Sequence, residues 1–334
     1  MLQIAIIGYG YWGKNLVRNF YSLPDCTVRL VADTDANKLA SLKQLYPGIA
    51  LTTNLQEVFA DHAIDAVVIA TPVFSHYVLA KQALLAGKHV LVEKPMTASV
   101  AEAEELIELA GRKNKLLMVD HTFLYTGAVE KIKALVRSGE IGKINYIDSI
   151  RINLGLFQSD VNVLWDLAPH DISICASMIP EIPYSVQARG ISHTRNGIEN
   201  IAYLTLNYAS DLIAHFNCSW SSPVKLRQML FGGDKKMVLY NDMEPTEKVK
   251  IYDAGFDVKS DEEISKIKVD YRMGDIYIPK LKTTEALTDM ARDFVRSVTK
   301  DTQPVSDWKT GLAVMKILES ADTSIKARGK EVIL

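Results

Sequence analysis

The run "LQIAIIGYGYWG", Leu2–Gly13, decides the fold. Its first half is a short, nearly continuous apolar run, the pattern of a strand buried on both faces. Its second half, Gly8-Tyr9-Gly10-Tyr11-Trp12-Gly13, is a GxGxxG that opens a helix near Lys14. In that setting the glycines permit a tight turn, bring backbone N–H groups against a pyrophosphate and let helix and strand pack closely. Asp33 closes the next apolar run about 20 residues beyond the motif, where a carboxylate can accept both ribose hydroxyls of an adenosine. The motif alone is a weak signal, but a strand before it, a helix after it and an acid downstream supply the context it requires. The plainer alternative for Asp33 is a cap on the following helix, a task that Asp35 can perform equally well.

The same grammar continues outward. Apolar runs recur at "TVRLVAD" (27–33), "AVVIATP" (66–72), "HVLVEKP" (89–95) and "KLLMVD" (115–120). Between them, "SHYVLAKQALLAG" (75–87) and "SVAEAEELIELAGRKN" (99–114) carry apolar residues at helical spacing. Alternating strands and helices predict an α/β unit, a doubly wound parallel sheet of Rossmann type, over residues 1–120. NAD is the expected cofactor, with Gly8, Gly10, Tyr11, Trp12, Gly13 and Asp33 as contacts. A carboxylate at position 33 repels a 2′-phosphate, which disfavours NADP, although Arg29 and Lys38 stand nearby in sequence. Thr71, Pro72 and His76, and then Glu93 and Lys94 before Pro95, fall at carboxyl ends of strands, where open α/β sheets bind ligands. They are assigned to the cofactor side. Lys94 reads either as half of a surface ion pair worth little or as a lysine placed beside the nicotinamide.

Composition narrows the class. The chain has 334 residues, enough for two domains, with 48% hydrophobic and 23% charged residues and a formal net charge of −2. Nothing in that balance calls for nucleic acid or an anionic membrane as partner. Cys26, Cys175 and Cys218 are odd in number and widely spaced, which speaks against a disulfide framework or a metal site. No leader or membrane span is legible, so a cytoplasmic protein is expected.

From residue 121 the pattern changes. A helix is expected over 127–138, followed by the strand-like "KINYIDSIRINLG". After a further helix come "PYSVQARGIS", "NIAYLTLNY", "LIAHFNCSW", "LRQMLFGG" and "KMVLYN", with a hairpin turning near Ser210-Asp211. Strands without helical crossovers predict an α+β domain, 121–334, built on a large, mostly antiparallel open sheet. Two closing amphipathic helices are expected to pack on that sheet, leaving its other face for a homodimer or homotetramer contact.

In "LWDLAPHDIS", Leu164–Ser173, Asp166 and His170 stand one helical turn apart. Alone, the pair reads as a capping acid and a quiet core histidine. Beside a cofactor domain it reads as catalytic. A helix beginning near Asp166 places Pro169 and His170 in its first turn. There the positive end of the dipole favours the neutral, proton-accepting imidazole.

Taken together, "AIIGYGYWG", "ATPVFSHYVLAKQALLAGKHVLVEKPM", "VRSGEIGKI" and the Asp166–His170 pair make the chain resemble the glucose–fructose oxidoreductase / inositol dehydrogenase (Gfo/Idh/MocA) family over essentially its whole length. The resemblance implies substrate in a cleft between the domains and Lys94, Asp166 and His170 as the catalytic set. It also implies a cis Lys94–Pro95 peptide. Many members carry an Asn-Arg pair where this chain has Asp120-His121-Thr122-Phe123-Leu124-Tyr125, which leaves His121 or Tyr125 to take over its contacts. Arg151, Asn153, Gln158, Asp160, Asn162 and Trp165 lead into the catalytic helix and are assigned to substrate. Tyr271 and Arg272, with Lys280, are candidates for holding a diphosphate. "RINLG", "DVNVLWDLAPHD" and "YRMGD" look most like the nucleotide-sugar branch, which oxidises UDP-N-acetylglucosamine or its uronic acid at C3. An inositol or free-sugar dehydrogenase is the alternative, and a non-catalytic NAD-binding sensor a more remote one.

Overall fold

A strand that is apolar on both faces must be covered twice, and helices do so here. The computed structural model describes residues 1–258 and 269–334. Strands β1 (Leu2–Ile7), β2 (Cys26–Ala32), β3 (Ala50–Thr52), β4 (Ala66–Ile69), β5 (His89–Glu93) and β6 (Leu117–Asp120) form one parallel sheet, in the order β3-β2-β1-β4-β5-β6. Every residue of β4 and β6 is buried. Helices α1 (Tyr11–Tyr21), α2 (Ala36–Leu45), α3 (Leu55–Ala60), α4 (His76–Leu85) and α5 (Val100–Lys113) connect the strands. The edge strand β3 escaped the reading of apolar runs because its three residues, "ALT", are too few to make one. In α5 the Ser99 hydroxyl accepts from Glu102 N–H and the Glu102 carboxylate accepts from Ala98 N–H. That reciprocal cap fixes where the helix starts, and Asn114, at φ +50°, ends it.

The chain divides into two compact units, Met1–Thr126 with Thr284–Lys316, and Gly127–Thr283 with Ile317–Leu334. The division differs from 1–120 and 121–334 at residues 121–126 and 284–316, which join the first unit. Helix α8 (Ala286–Lys300), expected on the large sheet, packs instead on α1 and on a short 3-10 helix at Thr122–Tyr125. Arg18 and Asn19 of α1 reach Glu285 at its start, and the rings of Phe20 and Phe294 meet edge to face at 6.1 Å. Its strong amphipathicity left the partner open, because an apolar stripe shows that a helix is covered but not by what.

The second unit contains α6 (Gly127–Arg137), β7 (Ile144–Leu154), α7 (Val163–Met178), β8 (Ser185–Ile191), β9 (Ile201–Asn207), β10 (Ile213–Ser219), β11 (Ser221–Gly233), β12 (Met237–Asn241), β13 (Val249–Tyr252), β14 (Gly255–Val258), β15 (Val269–Arg272) and β16 (Ile276–Tyr277). Near the C-terminus follow α9 (Trp308–Lys326), assigned to this unit from Ile317 on, and β17 (Val332–Ile333). Nine strands run β16-β13-β12-β11-β7-β10-β9-β8-β17, and every pairing is antiparallel except β7 with β10. The β9–β10 hairpin turns at Tyr208–Leu212, with Asp211 at φ +64°. Helix α7 lies on the face that buries Ile147, Ser149 and Arg151 of β7 and Ala202, Leu204 and Leu206 of β9. Among the described residues no helix is long and apolar enough to cross a membrane.

Candidate active site

The strand order turns back at β1, whose neighbours β2 and β4 lead to opposite edges of the sheet. Its carboxyl end is therefore the switch point at which such sheets hold ligands. Gly8 has φ +97°, and a Cβ there would stand 2.5 Å from Ala70 O. A Cβ on Gly13 would stand 2.0 Å from Gly8 O, so the first turn of α1 rests directly on the loop. Gly10 differs, for nothing lies within 4 Å of where its Cβ would be. Helix α1 begins there with no side-chain cap and no acid in its first turn. Open space before uncapped N–H groups is what a pyrophosphate requires. Tyr11 and Trp12 are exposed beside it.

The two acids after β2 divide the work. Asp35 caps α2 by accepting from Asn37 N–H at 2.9 Å. Asp33 accepts Tyr9 N–H at 2.6 Å on one oxygen and Asp35 N–H at 2.9 Å on the other. It thus ties the glycine loop to β2 while each oxygen keeps a lone pair for a ribose hydroxyl. Arg29 is held by Asp61 at 2.7 Å, and Lys38 Nζ stands 3.8 Å from Asp33. These residues fit a dinucleotide, with Gly10 at its pyrophosphate and Asp33 at its ribose.

Lys94 follows β5, half-buried, and its peptide bond to Pro95 is cis. Buried His76 links the neighbouring loops, with Nδ1 2.9 Å from Pro95 O and Nε2 2.7 Å from Thr71 O. Burial pulls the pKa of His76 down against the upward pull of those carbonyls. Glu93 and Asp120 end β5 and β6 as register partners, both carboxyl groups are buried, and Glu93 Oε1 and Asp120 Oδ2 have no hydrogen-bond partner among the described residues. Burial raises both, Glu93 well above the carboxylate range and Asp120 to about 6. Next to them His121 is fully buried, and neither ring nitrogen has a partner among the described residues. Burial, and then the Lys94 charge, push its pKa down to about 3, so the ring is neutral.

Tyr125, assigned to substrate, is buried with its hydroxyl donated to Asp293 at 2.8 Å and accepting Ser306 N–H at 3.1 Å. It anchors the C-terminal segment of its unit. No signal in the sequence joined residues so far apart.

In the second unit α7 begins at Val163, one turn earlier than expected. Asn162 is its N-cap, accepting from Leu164 and Trp165 N–H. Pro169 therefore lies inside the helix, where it removes one backbone hydrogen bond, and His170 is about two turns from the N-terminus. The dipole argument for a neutral His170 falls with that boundary, because the effect fades within the first turn. Asp166 and His170 remain one turn apart on a common face, both half-buried. Asp166 accepts from Trp220 Nε1 at 3.0 Å. Asp322 of α9 accepts from Asn162 Nδ2 and from Trp165 Nε1, both at 2.9 Å, and so fixes the start of the helix. Trp220 and Asp322 are site-building residues that the sequence reading missed.

Arg151, expected at substrate, is 4% exposed and bonded through two nitrogens to Asp171, at 2.9 and 2.6 Å. Ser149 donates to the same carboxylate at 2.8 Å. The alternation of β7 sets Arg151 on the buried face with Ile147 and Ser149, so its geometry is that of a structural tie. Arg272 donates to Lys235 O and pairs with Asp253 at 3.3 Å. Tyr271 lies in β15, with its side chain outside the described residues. Asn153 and Gln158 are half-buried, Asp160 and Lys280 exposed. No cluster of His, Cys, Asp or Glu able to hold a metal occurs among the described residues.

The glycine cradle and the Asp33 carboxylate define an NAD-binding Rossmann domain. Residues 2–121 match the oxidoreductase family with an NAD-binding Rossmann fold, and residues 129–239 match the GFO/IDH/MocA C-terminal domain. The chain belongs to the Gfo/Idh/MocA family. It is 24% identical to the uncharacterized oxidoreductase YdgJ of Escherichia coli over 98% of this chain and 97% of that one. It is 26% identical to scyllo-inositol 2-dehydrogenase (NADP(+)) IolW of Bacillus subtilis over 70% of this chain and 63% of the other. The solved structure of UDP-N-acetylglucosamine 3-dehydrogenase GnnA from Acidithiobacillus ferrooxidans shares its fold with a TM-score of 0.83. The two chains are 20% identical, each covered to 98%.

Proposed function

We propose that the protein oxidises a secondary hydroxyl of a sugar to a ketone, with C3 of UDP-N-acetylglucosamine or of its uronic acid as the preferred site. The observation that carries this reading is the Glu93-Lys94-Pro95 loop, which ends a parallel strand on the ligand side of an NAD-binding sheet with a half-buried ammonium group. NAD, when bound, takes up the hydrogen and two electrons that leave the carbinol carbon. His170 accepts the hydroxyl proton, a role suited to a group whose ordinary pKa of about 6.5 lies near working pH. Lys94 hydrogen-bonds the same oxygen and stabilises the negative charge that develops on it. Asp166, braced by Trp220, orients the substrate or the imidazole one turn away. Asn153, Asn162 and Trp165 belong to the sugar side of this reading.

The full-length likeness to GnnA supports the nucleotide-sugar assignment. The sequence likeness to IolW favours an inositol as the second reading. A panel of UDP-N-acetylglucosamine, its uronic acid, inositols and free hexoses, followed by NADH absorbance, separates them. His170→Ala and Lys94→Ala are each expected to lower turnover at saturating NAD by about 100-fold or more. Near-wild-type rates in both would sink the assignment. If free UDP neither competes with turnover nor raises the melting temperature, the nucleotide-sugar reading fails and the inositol reading takes its place.

The face of the nine-stranded sheet opposite α7 exposes the register partners Tyr146 and Ile213, together with Tyr203. We assign this face to self-association as a dimer or tetramer. Light scattering at micromolar concentration should show more than one chain per particle, and Ile213→Glu should lower that number.

A further inference from the structure

Two carboxylates cannot share a dry hydrogen bond without a proton between them. Glu93 and Asp120 stand in register at the ends of adjacent strands, 8% and 2% exposed, close enough that each acts on the other's pKa. Their remaining contacts identify the oxygens involved. Asp120 Oδ1 accepts from the Thr122 hydroxyl at 2.5 Å, and the Glu93 carboxyl accepts the Lys94 backbone N–H. Glu93 Oε1 and Asp120 Oδ2 are buried and have no N–H or O–H partner among the described residues. A single proton placed between the two groups satisfies both at once.

We propose that Glu93 and Asp120 hold one proton in common and act as a single monoanionic unit that positions Lys94, the residue that follows Glu93. The charged and titratable groups around the pair are few. Lys94 opposes its negative charge, His121 is neutral beside it, and Tyr125, already bonded to Asp293, feels Asp120 as well. His76 senses Lys94 from the neighbouring loop. The directions of both carboxyl shifts agree with retention of one proton at neutral pH, since burial raises Glu93 well above its ordinary value and Asp120 only to about 6. As apparent values these belong to the pair rather than to either residue. One negative charge then offsets one ammonium charge, and the Glu93-Lys94-Pro95 loop is tied to β6 through the shared proton.

The role assigned to Lys94 rests on the proposed dehydrogenase activity, but the shared proton does not, and the two are tested apart. At pH 7.5 the infrared spectrum of the full chain should contain the carbonyl stretch of a buried protonated carboxyl. Glu93→Gln and Asp120→Asn, each an amide of the same shape, should both abolish it, because the carboxyl left behind ionises opposite Lys94. A wild-type spectrum without that band, or a band that survives both substitutions, overturns the proposal. Melting temperature gives a second reading. The native pair keeps a proton that the unfolded chain releases above about pH 4, so native stability falls as pH rises toward 8. The difference in Tm, Glu93→Gln minus wild type, should therefore grow between pH 6 and pH 8. A constant difference contradicts the shared proton. For the positioning role, both substitutions should move the pH profile of NADH formation. A merely structural bond would lower the rate at every pH and leave the profile in place, and that result would refute positioning while the infrared band still reports the proton.

Discussion

Each unit buries charge beside its candidate site residues, and the two do so in opposite ways. In the second unit Arg151 and Asp171 are opposite charges joined through two hydrogen bonds, with Ser149 on the same carboxylate. In the first unit Glu93 and Asp120 are like charges, and only a proton reconciles them. The ion pair is self-contained and sits directly behind His170 in sequence, where it fixes α7 against β7. The carboxyl pair leaves a net charge, which Lys94 meets. Burial makes a charge structural when its partner is of opposite sign. It makes a charge available to chemistry when the partner is alike and a third group must balance the sum.

The largest effect should come from breaking the self-contained pair. Asp171→Ala leaves a buried guanidinium without its carboxylate and should cost about 3–5 kcal/mol in urea unfolding. Burial works to lower the pKa of Arg151, and Asp171 more than offsets that effect. Removing the acid therefore leaves burial opposing the charge. The double replacement Arg151→Met with Asp171→Leu sharpens the comparison, since it removes both charges and should restore most of the loss. If Asp171→Ala unfolds like the wild type, Arg151 has another outlet and its structural assignment is wrong.

The same contrast explains which parts of the molecule were legible in the sequence. The parallel sheet announced itself because its strands are apolar on both faces and its glycine motif stands at a strand end. Gly8, Gly10 and Gly13 then proved to have three different local reasons. The hairpin at Asp211 and the helix over 127–137 were legible for the same local reasons. What stayed hidden is non-local. Neither the Tyr125–Asp293 bond nor the Asp322 contacts to Asn162 and Trp165 leave a trace in spacing, because residues far apart in the chain meet only after folding. Arg151 was legible in principle, since Ile147, Ser149 and Arg151 share one parity along β7, but an arginine invites a functional reading before a structural one. The start of α7 was set too late because "NVLW" shows no polar face. Asn162 is the signal that would have corrected it, by its cap chemistry.

The smaller effect lies with the neutral neighbour of the carboxyl pair. His121 is buried with a pKa pushed down to about 3, below the unfolded value near 6.5. A depressed histidine contributes stability that is fully present above pH 6.5 and is lost as pH falls toward the folded value. The carboxyl pair acts in the opposite sense over the same range, gaining protons and stability as pH falls. The wild-type curve therefore mixes two opposing slopes, and His121→Phe isolates one of them. Phenylalanine fills the ring's place and has no nitrogen to protonate or leave unbonded. Between pH 7.5 and 5.5 the stability of His121→Phe relative to wild type should improve by about 1.4 kcal/mol, the cost of keeping one histidine neutral one unit below its unfolded pKa. Hydrogen exchange should place the wild-type acid response at β5 and β6 rather than at β7 and α7, because the titrating groups sit on the first two. A relative stability that does not change with pH would mean that His121 is not the proton acceptor in acid, and the contrast between the units would then rest on the carboxyl pair alone.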